Sequence, residues 1–397
     1  MEESVFYHID VNSAFLSWEA ARRLRLDPAA VDIREVPAVI GGDQSRRHGI
    51  VLAKSIPAKK YGVSTGEPIA SAVKKCPNLM LVKPDYELYV ENSRLLMELL
   101  KNYAPVVEQF SIDEAFCDMT GTKRLYGDPI EFAYRLKDEI RESLGFTVNI
   151  GIAPNRLLAK MASDFQKPDR VHTLFKHEIP DKMWPLPVED LLFVGKNTAS
   201  KFHSLGIHTI GQLAHCDPSL LSHHLKKMGL TAWQYANGEC DDFGSDHTVA
   251  NRGYSNSTTL SSDVTSAQIA KQVLLSLCET VSARLRADQA RISVVAVTIR
   301  NPDFENVSKQ TSLYSSTNVT DEIYAEVCRL FDELWDGSPI RLLGVSTSKA
   351  TTEDNYQYDL FHSEQHEKLK KLDSAVDTIR ARYGEDSIKR ATFLKDH

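Results

Sequence analysis

The sequence predicts a multidomain α+β protein, and three stretches of the chain carry this prediction. Residues 1–165 alternate short apolar strands with amphipathic helices, which is typical of a sheet with helices on one face. Residues 180–238 change to short helices separated by tight turns. Residues 253–348 alternate again, in the order β-α-β-β-α-β that is typical of a ferredoxin-like sandwich.

In the first stretch, period-two alternation predicts the strands, and apolar residues at helical spacing predict the helices. The strand 5–11 is followed by a helix over 13–24, whose apolar stripe contains Ala14, Trp18 and Leu24. The later elements, in chain order, are strands over 35–40 and 49–53, a helical lobe over 57–76, a helix over 87–103, an extended segment over 106–119, a helix over 128–144, a strand over 146–152 and a helix over 155–165.

The second half begins with a polar, glycine-containing stretch, 240–253, that predicts a linker. The elements predicted beyond it are a strand near 253–260, a helix over 267–287, strands over 292–300 and 308–313, a helix over 321–334 and a strand over 340–348. From His366 onward, apolar residues at helical spacing predict a last helix, which either covers the protein or meets a partner.

The composition is that of an ordinary globular protein, with 42% hydrophobic and 25% charged residues in a chain of 397. The 47 basic and 54 acidic residues give a net charge of −7, which neither indicates nor excludes a nucleic-acid partner. No apolar run is long enough to span a bilayer, the N-terminus lacks the pattern of a secretory signal, and the six cysteines form no CxxC pair. We therefore expect a cytoplasmic protein with reduced thiols and no membrane contact.

Two acidic segments stand out in the first stretch. Asp10 lies at the carboxyl end of an apolar strand, on the face opposite to Ile9 and Val11, and directly before a helix. Asp113 and Glu114 lie between two apolar stretches. Because consecutive strand residues face opposite ways, both carboxylates can reach one site only near a hairpin turn or a bulge. Taken alone, each segment is better explained by separate surface ion pairs.

Pairing of the two segments in one sheet would bring three carboxylates together. Three carboxylates stay ionised side by side only with cations, and a set of oxygen ligands favours Mg²⁺. Two such ions stabilise the attacking and the leaving oxygen of an in-line phosphoryl displacement. The sequence therefore suggests a two-metal phosphoryl-transfer site.

The helix after Asp10 offers an anion site. Asn12 or Ser13 can cap it, which leaves the amides of Ala14 and Phe15 pointing at a nearby anion. The Phe15 ring would then lie close to a bound phosphate compound, although a core position explains Phe15 equally well.

Basic residues in the same half could neutralise the charge of a triphosphate. Arg156 and Lys160 project from one face of a predicted helix, four residues apart, and Lys54, Lys59 and Lys60 lie in the helical lobe. Lysines aimed at a metal–triphosphate site would stabilise the charge that develops on a leaving pyrophosphate. Taken singly, each is better explained as part of a solvated helix face.

Taken in order, four separated motifs resemble the Y-family DNA polymerases, in particular the DNA polymerase IV type used for translesion synthesis. No motif is specific alone, but four of them in this order are. The motifs are Tyr7-His8-Ile9-Asp10-Val11-Asn12-Ser13-Ala14-Phe15, Ala58-Lys59-Lys60-Tyr61-Gly62-Val63, Ser111-Ile112-Asp113-Glu114-Ala115-Phe116, and Val148–Lys160 with Lys167-Pro168-Asp169.

The resemblance implies a right-hand polymerase with a ferredoxin-like palm, small fingers, a helical thumb and a split β-α-β little finger. It also implies primer-template DNA and deoxynucleoside triphosphates as partners, and low fidelity without proofreading. We expect a monomer. The implied domains are a palm over 1–16 and 78–166, fingers over 17–77, a thumb over 167–240, a linker over 241–252, a little finger over 253–350 and a tail over 351–397.

The resemblance also assigns roles to single residues. Asp10, Asp113 and Glu114 would hold two Mg²⁺ ions, assisted by the backbone carbonyl of Val11. The primer 3′-hydroxyl would attack the α-phosphate and release pyrophosphate. Phe15 would be the steric gate that excludes a ribose 2′-hydroxyl. The residues that would contact the nucleotide are Ala14, Phe15, Lys59 and Lys160.

The chain departs from the family pattern in three places. Ile56 and Lys59 stand where family members often carry a Tyr and an Arg on the triphosphate, so the bidentate fork of Arg is missing. In the thumb, Phe193 replaces the usual first glycine of a helix-hairpin-helix whose backbone amides are expected to hold a DNA phosphate. The amides concerned are those of Val194, Gly195 and Lys196. The linker over 240–246 is acidic where relatives often have basic residues, which suggests a weak intrinsic grip on DNA.

The tail contains the peptide Gln357-Tyr358-Asp359-Leu360-Phe361, which resembles a sliding-clamp binding motif. Leu360 and Phe361 would fill an apolar pocket of the clamp, and Gln357 would fix the register. Tethering to a clamp raises the effective concentration at the primer end and can replace lost DNA affinity. Short patterns of this kind also arise by chance, and the position behind a polymerase-like little finger favours the functional interpretation.

Two other functions remain open at this stage. A palm-type nucleotidyl cyclase would use the same carboxylates without DNA, but it needs neither a thumb hairpin nor a second α/β block. A non-catalytic clamp- or DNA-binding adaptor with a decayed site is kept open by Ile56 and Lys59, whereas the three intact carboxylates weigh against it.

Overall fold

The computed structural model describes residues 4–42, 49–240, 251–352 and 363–393. The described chain forms two compact units, one up to residue 240 and one from residue 251 onward. None of the described helices is long and apolar enough to cross a lipid bilayer. Residues 241–250 of the predicted linker and the whole predicted clamp motif lie outside the described residues.

The first unit alternates strands and helices up to residue 173 and continues with short helices. The strands are β1 (Phe6–Val11), β2 (Ala38–Gly41), β3 (Val51–Lys54), β4 (Met80–Val82), β5 (Val106–Gln109), β6 (Glu114–Asp118), β7 (Val148–Ala153) and β8 (Val171–Thr173). The helices are α1 (Ala14–Leu26), α2 (Ile56–Lys60), α3 (Ile69–Lys75), α4 (Tyr86–Lys101), α5 (Lys123–Tyr126), α6 (Pro129–Leu144), α7 (Arg156–Asp164), α8 (Ile179–Lys182), α9 (Lys196–Ser204), α10 (Ile210–Ala214), α11 (Pro218–Leu225) and α12 (Lys227–Ala236).

Strand β1 lies in the middle of the central sheet, whose order is β5-β6-β1-β7-β8. It pairs antiparallel with β6 and β7, and Tyr7, Ile9 and Val11 belong to a core formed with α1, α4 and α6. His8 and Asp10 lie on the other face of β1, where α7 packs against β1 and β7. The prediction that helices cover one face is therefore wrong for α7, which packs on the face that carries Asp10.

The close approach of α7 to the sheet depends on Gly151 in β7. A Cβ atom at this position would lie 2.0 Å from the Ala159 carbonyl oxygen and 2.5 Å from the Ser163 amide nitrogen, both in α7. Backbone atoms cannot move away from such an overlap as the end of a flexible side chain can. The structure therefore requires glycine here, and this residue sets the distance between α7 and the strands that carry the carboxylates.

A smaller sheet of order β3-β2-β4 has its own core, which includes Val51, Ala58 and Ile69. The other face of this sheet shares the large core with α1, where Trp18 is fully buried together with Ile40 and Ala53. The boundary predicted between palm and fingers at residue 17 falls within α1, a helix that shares its core with both sheets, and it stays a prediction.

Helices α8 to α12 pack around a further core that includes Phe202, Ile210 and Leu221. Leu158 and Ala162 of α7 belong to the same core. Helix α7 therefore joins the helical part of the unit to the central sheet.

The second unit follows the predicted β-α-β-β-α-β order, with β9 (Ser255–Val264), α13 (Ala267–Ala287), β10 (Ile292–Arg300), β11 (Asn306–Thr317), α14 (Thr320–Leu334) and β12 (Ile340–Ser348). Its sheet has the order β11-β10-β12-β9 with antiparallel neighbours, and α13 and α14 share one core with it. The bounds of α13, β10 and β12 coincide with the predicted ones. The α+β class predicted from the sequence is confirmed.

A last helix, α15 (Ser363–Tyr383), begins three residues before the predicted start at His366 and belongs to the second unit. Asp373 accepts a hydrogen bond from the Thr320 amide at 2.8 Å and so caps the N-terminus of α14, which has no side-chain cap of its own. Asp373 also pairs with Arg286 of α13 at 3.0 Å. Of the two roles that the sequence left open, these contacts favour covering the second unit.

Candidate active site

Strands β1 and β6 bring the three predicted carboxylates to one end of the central sheet. In the antiparallel register Asp10 lies opposite Glu114. Asp113 lies in the bend between β5 and β6, and its carbonyl accepts a hydrogen bond from the Val11 amide at 3.0 Å. The hairpin that two consecutive carboxylates require is therefore present.

The Asp10 side chain is nearly buried, and it lies close to the Lys167 ammonium and to the Glu114 carboxyl group. Burial raises the pKa of its carboxyl to about 7; the Lys167 ammonium, 2.9 Å away, acts in the opposite direction, and a hydrogen bond with Glu114 adds to the rise. Two acidic side chains in contact cannot both ionise at low cost. Asp10 therefore holds its proton more tightly than a free aspartate, and a divalent cation must displace that proton to bind its carboxylate.

Lys160 of α7 is buried beside Glu114, and its ammonium donates a hydrogen bond to Oε1 of that carboxylate. Burial alone would raise the pKa of Glu114, but the hydrogen bond with Asp10 and the Lys160 ammonium outweigh it, and the pKa is lowered. The nucleotide contact predicted for Lys160 stays a prediction, because its ammonium lies on Glu114 and both residues are outside the described lining of the cleft.

His8 lies on the same face of β1 as Asp10 and is not among the predicted site residues. The Ser163 hydroxyl donates to the Lys160 carbonyl at 2.8 Å, so it accepts from His8 Nδ1 at 2.7 Å. Burial lowers the pKa of His8 to about 3, so the ring is neutral. His8 thereby fixes the turn of α7 that carries Lys160. A polar residue two positions from Asp10 in an otherwise apolar strand is the sequence signal that could have identified it.

A cleft of about 730 Å³ opens beside the carboxylates. The half-buried ring of Phe15 lies in its wall and stacks on the buried ring of Tyr89, with centroids 4.3 Å apart and planes 6° apart. The sequence allows Phe15 to be either a core residue or a residue beside a bound phosphate compound. In the structure its ring packs on the core and also borders the cleft. The residues that line the cleft include Asp10, Val11, Ala14, Phe15, Lys54, Ile56, Lys59, Asp113 and Lys167.

The N-terminus of α1 borders the cleft without a side-chain cap. Ser13 has a φ of 49° and makes no capping hydrogen bond, and the Asn12 side chain bonds instead to Asn149 and Thr147. The prediction that Asn12 or Ser13 caps this helix is therefore wrong. The uncapped first turn leaves backbone donors available to an anion in the cleft.

Among the residues that the structure describes, the lysines that line the cleft are Lys54, Lys59 and Lys167. Lys59 is exposed to solvent, so its ammonium group is accessible to a ligand that enters the cleft. Lys167 donates to Asp10 at 2.9 Å and to Asp164 at 2.8 Å. Lys167 belongs to a motif quoted above but received no role there, because its position in the chain does not reveal that it returns to Asp10.

The predicted phosphate-binding turn lies at the start of α9. Phe193 has a φ of 66°, a region that glycine usually occupies, so the backbone keeps the expected shape despite the substitution. The Val194 amide donates to the Leu191 carbonyl at 2.9 Å, whereas a Cβ atom on Gly195 would meet open space. The amides of Gly195 and Lys196 are therefore better placed to bind an anion than that of Val194.

The oxygen donors beside the cleft suit a divalent cation, but two lysines hold them. Within the described ranges, no three carboxylate, imidazole or thiol groups form a ready-made metal cluster. Lys167 and Lys160 instead hold Asp10 and Glu114. The carboxylates are hard oxygen ligands beside an open cleft, which fits a divalent cation of the Mg²⁺ type once the lysines have moved to another anion.

Comparison with known proteins gives a consistent assignment over both units. Residues 9–164 match the impB/mucB/samB family, and residues 251–360 match the C-terminal domain of that family. The chain is 44% identical to the DNA polymerase IV of Clostridium acetobutylicum over 391 residues, 98% of each chain. It is 34% identical to the DNA polymerase IV of Acetivibrio thermocellus over 397 residues, 99% of this chain and 98% of the other.

A solved structure of a chimeric Y-family DNA polymerase has the same fold. It superposes with a TM-score of 0.74 at 22% sequence identity, and the match covers 88% of this chain and 100% of the other. The similarity in sequence and the similarity in fold therefore extend over most of the chain.

Proposed function

Because the chain belongs to the impB/mucB/samB family of Y-family DNA polymerases, we propose that the cleft beside Asp10 and Asp113 is where it adds deoxynucleotides to a primer. The chain is a DNA-directed DNA polymerase of the translesion, DNA polymerase IV type. The observation that supports this site is a cleft lined by Asp10, Asp113 and basic side chains, with Glu114 opposite Asp10 in the neighbouring strand. A nucleotidyl cyclase and a non-catalytic adaptor are not favoured by these relatives.

The reaction depends on a divalent cation, and we assign two Mg²⁺ ions to the carboxylates of Asp10, Asp113 and Glu114 and to the Val11 carbonyl. When bound, the ions stabilise the attacking and the leaving oxygen of an in-line phosphoryl transfer. The chain itself contributes a rigid hairpin and a neighbouring strand that hold the oxygen ligands. Binding of a cation would also release the proton of Asp10, because a metal ligand must be ionised.

The triphosphate is assigned to the amides of Ala14 and Phe15 and to the ammonium groups of Lys59 and Lys167. The Lys167 side chain is 36% exposed and lines the cleft, so it can turn from Asp10 to a phosphate. The primer 3′-hydroxyl attacks the α-phosphate, and these donors stabilise the charge that develops on the leaving pyrophosphate. Lys160 keeps its predicted contact with the nucleotide, because its ammonium can turn to a phosphate once a divalent cation replaces it on Glu114.

Phe15 is assigned as the steric gate against ribonucleotides. Its ring borders the cleft, and the stacked ring of Tyr89 prevents it from moving toward the core. A sugar bound in the cleft would therefore meet a ring of fixed position.

Primer-template DNA is assigned to a palm, fingers, thumb and little finger with the bounds predicted from the sequence. In the thumb, the amides of Gly195 and Lys196 would hold a backbone phosphate, with Val194 anchoring the turn. Small fingers would make few contacts with the nascent base pair. That arrangement admits distorted templates at low fidelity.

Primer extension tests the proposed function. With Mg²⁺ and all deoxynucleoside triphosphates, the protein is expected to extend a primer on an undamaged template and past an abasic site, and EDTA is expected to stop both reactions. Normal extension on the undamaged template with complete blockage at the abasic site would contradict lesion bypass. A product formed from nucleoside triphosphates without DNA would instead favour the cyclase.

We also propose that this chain acts as a monomer and binds a sliding clamp through Gln357, Leu360 and Phe361. These residues lie outside the described ones, and the support comes from their pattern and their position behind the little finger. Replacing Leu360 and Phe361 with Ala is expected to remove the clamp's stimulation of primer extension, about 10²-fold at limiting DNA.

Extension without the clamp serves as the internal reference for the clamp experiment, and it should not change. Tyr358→Ala is the matched control, because position 358 lies between the anchoring residues of the motif. Equal stimulation of the double variant and the wild-type protein would show that another surface binds the clamp.

A further inference from the structure

Lys54 ends strand β3 on the wall of the cleft. It is one of the lysines that the sequence offers to a triphosphate, but it has no place among the nucleotide-binding residues assigned above. Val51 and Ala53 of this strand are buried, whereas Leu52 and Lys54 are half-buried and line the cleft. The Lys54 ammonium donates to Thr65 Oγ1 at 3.1 Å, and Thr65 lines the cleft as well. The positive charge therefore lies at the surface of the cavity.

The surroundings of Lys54 neutralise its charge only in part. Glu67, the carboxylate that attracts it, already holds Lys75 at 2.6 Å. Burial lowers the pKa of Lys54, and the nearby charge of Lys59 lowers it further. Lys160, by contrast, is held by a carboxylate at short range. Two like charges on one wall of a cleft favour an anionic ligand.

The helix that follows Lys54 adds a second cation to this wall of the cleft. Ile56 and Lys59 of α2 line the cleft as well. Ile56 offers no polar group to a ligand. Lys54 and Lys59 are therefore the cations that the described residues of β3 and α2 present to an anion in the cleft.

We propose that Lys54 is a further nucleotide-binding residue, which together with Lys59 holds the polyphosphate of the incoming nucleotide. The inference rests on the proposed function, because it requires that a deoxynucleoside triphosphate binds in this cleft. Lys54 supplies a second cation from the strand that precedes the helix of Ile56 and Lys59. The backbone of Lys54 is fixed by its pairing with Val39 of β2, so the side chain starts from a rigid position.

The charge of Lys54 acts on the bound nucleotide in the ground state and in the transition state alike. An interaction of this kind lowers KM and leaves kcat nearly unchanged. A residue that only supported the fold of β3 would instead affect stability, or kcat and KM together.

Lys54→Met keeps the length of the side chain and removes its charge. In single-nucleotide incorporation with Mg²⁺ and saturating primer-template, we expect KM for the incoming nucleotide to rise about 10-fold, with kcat changed less than about twofold. Inhibition by inorganic triphosphate, a probe without base or sugar, should weaken by the same factor. Lys54→Arg keeps the charge and should retain most of the affinity.

Lys60→Met is the matched control, because Lys60 is an exposed lysine of α2 outside the described lining of the cleft. A KM within about twofold of wild type in Lys54→Met would overturn the inference, and so would an equal rise in Lys60→Met, which would reflect bulk charge. If Lys54→Met unfolds at a lower temperature, Lys54→Gln takes its place under the same criteria. Failure of the proposed function is distinguishable, because the wild-type protein itself would then incorporate no nucleotide.

Discussion

Replacing Asp113 with Asn is expected to lower kcat/KM for nucleotide incorporation by about 10³-fold, or about 4 kcal/mol of transition-state stabilisation. Asp113 lies in the bend between β5 and β6 and borders the cleft. The Ser111 hydroxyl donates to Asp113 Oδ1 at 2.7 Å, and the carbonyl of an Asn amide can accept the same hydrogen bond. The substitution therefore keeps the bend and removes the charge that a divalent cation needs.

Single-turnover incorporation at varied Mg²⁺ and nucleotide concentrations measures this effect. Glu142→Gln is the matched control, because Glu142 is an exposed carboxylate of α6, and it should keep the wild-type rate. If Asp113→Asn kept its rate within about 10-fold of wild type, the assignment of Asp113 as a metal ligand would be wrong.

Replacing Phe15 with Ala is expected to raise kcat/KM for ribonucleotides relative to deoxynucleotides by about 10²-fold, or about 2.7 kcal/mol. The Phe15 ring stacks on Tyr89, which is fully buried, and has Tyr86 at its edge with ring centroids 6.3 Å apart. Because these rings hold it in place, Phe15 cannot give way to a 2′-hydroxyl. An Ala side chain opens that space, and the cost of binding a ribose falls.

Incorporation of matched ribo- and deoxynucleotides on one template gives the ratio. Phe15→Tyr retains a ring and should keep the discrimination. Tyr86→Ala removes an exposed ring outside the described lining of the cleft and leaves the stack of Phe15 on Tyr89, so it should also keep most of the discrimination. An unchanged ratio in Phe15→Ala, with slower incorporation of both sugars, would mean that Phe15 serves packing on Tyr89 and not selection.

Long, periodic elements of this fold could be predicted from the sequence. Helix α13 and strands β10 and β12 begin and end where their patterns predict, because the side chains of each element mark the face that it buries. The strand predicted over 35–40 is instead β2, Ala38–Gly41. Val36 explains the difference, because it packs against the core from a loop, and periodicity does not distinguish such a residue from one in a strand.

The sequence by itself determined the chemistry available at the candidate site. An apolar strand that ends in Asp10, and two consecutive carboxylates beside a turn, indicate oxygen ligands whose faces follow from strand alternation. Only the tertiary structure decided the partners of these groups. Helix α7 crosses to the face of β1 that carries Asp10, which puts Lys160 on Glu114, and the chain then returns Lys167 to Asp10. Contacts of this kind depend on where loops direct the chain, and no local pattern encodes that path.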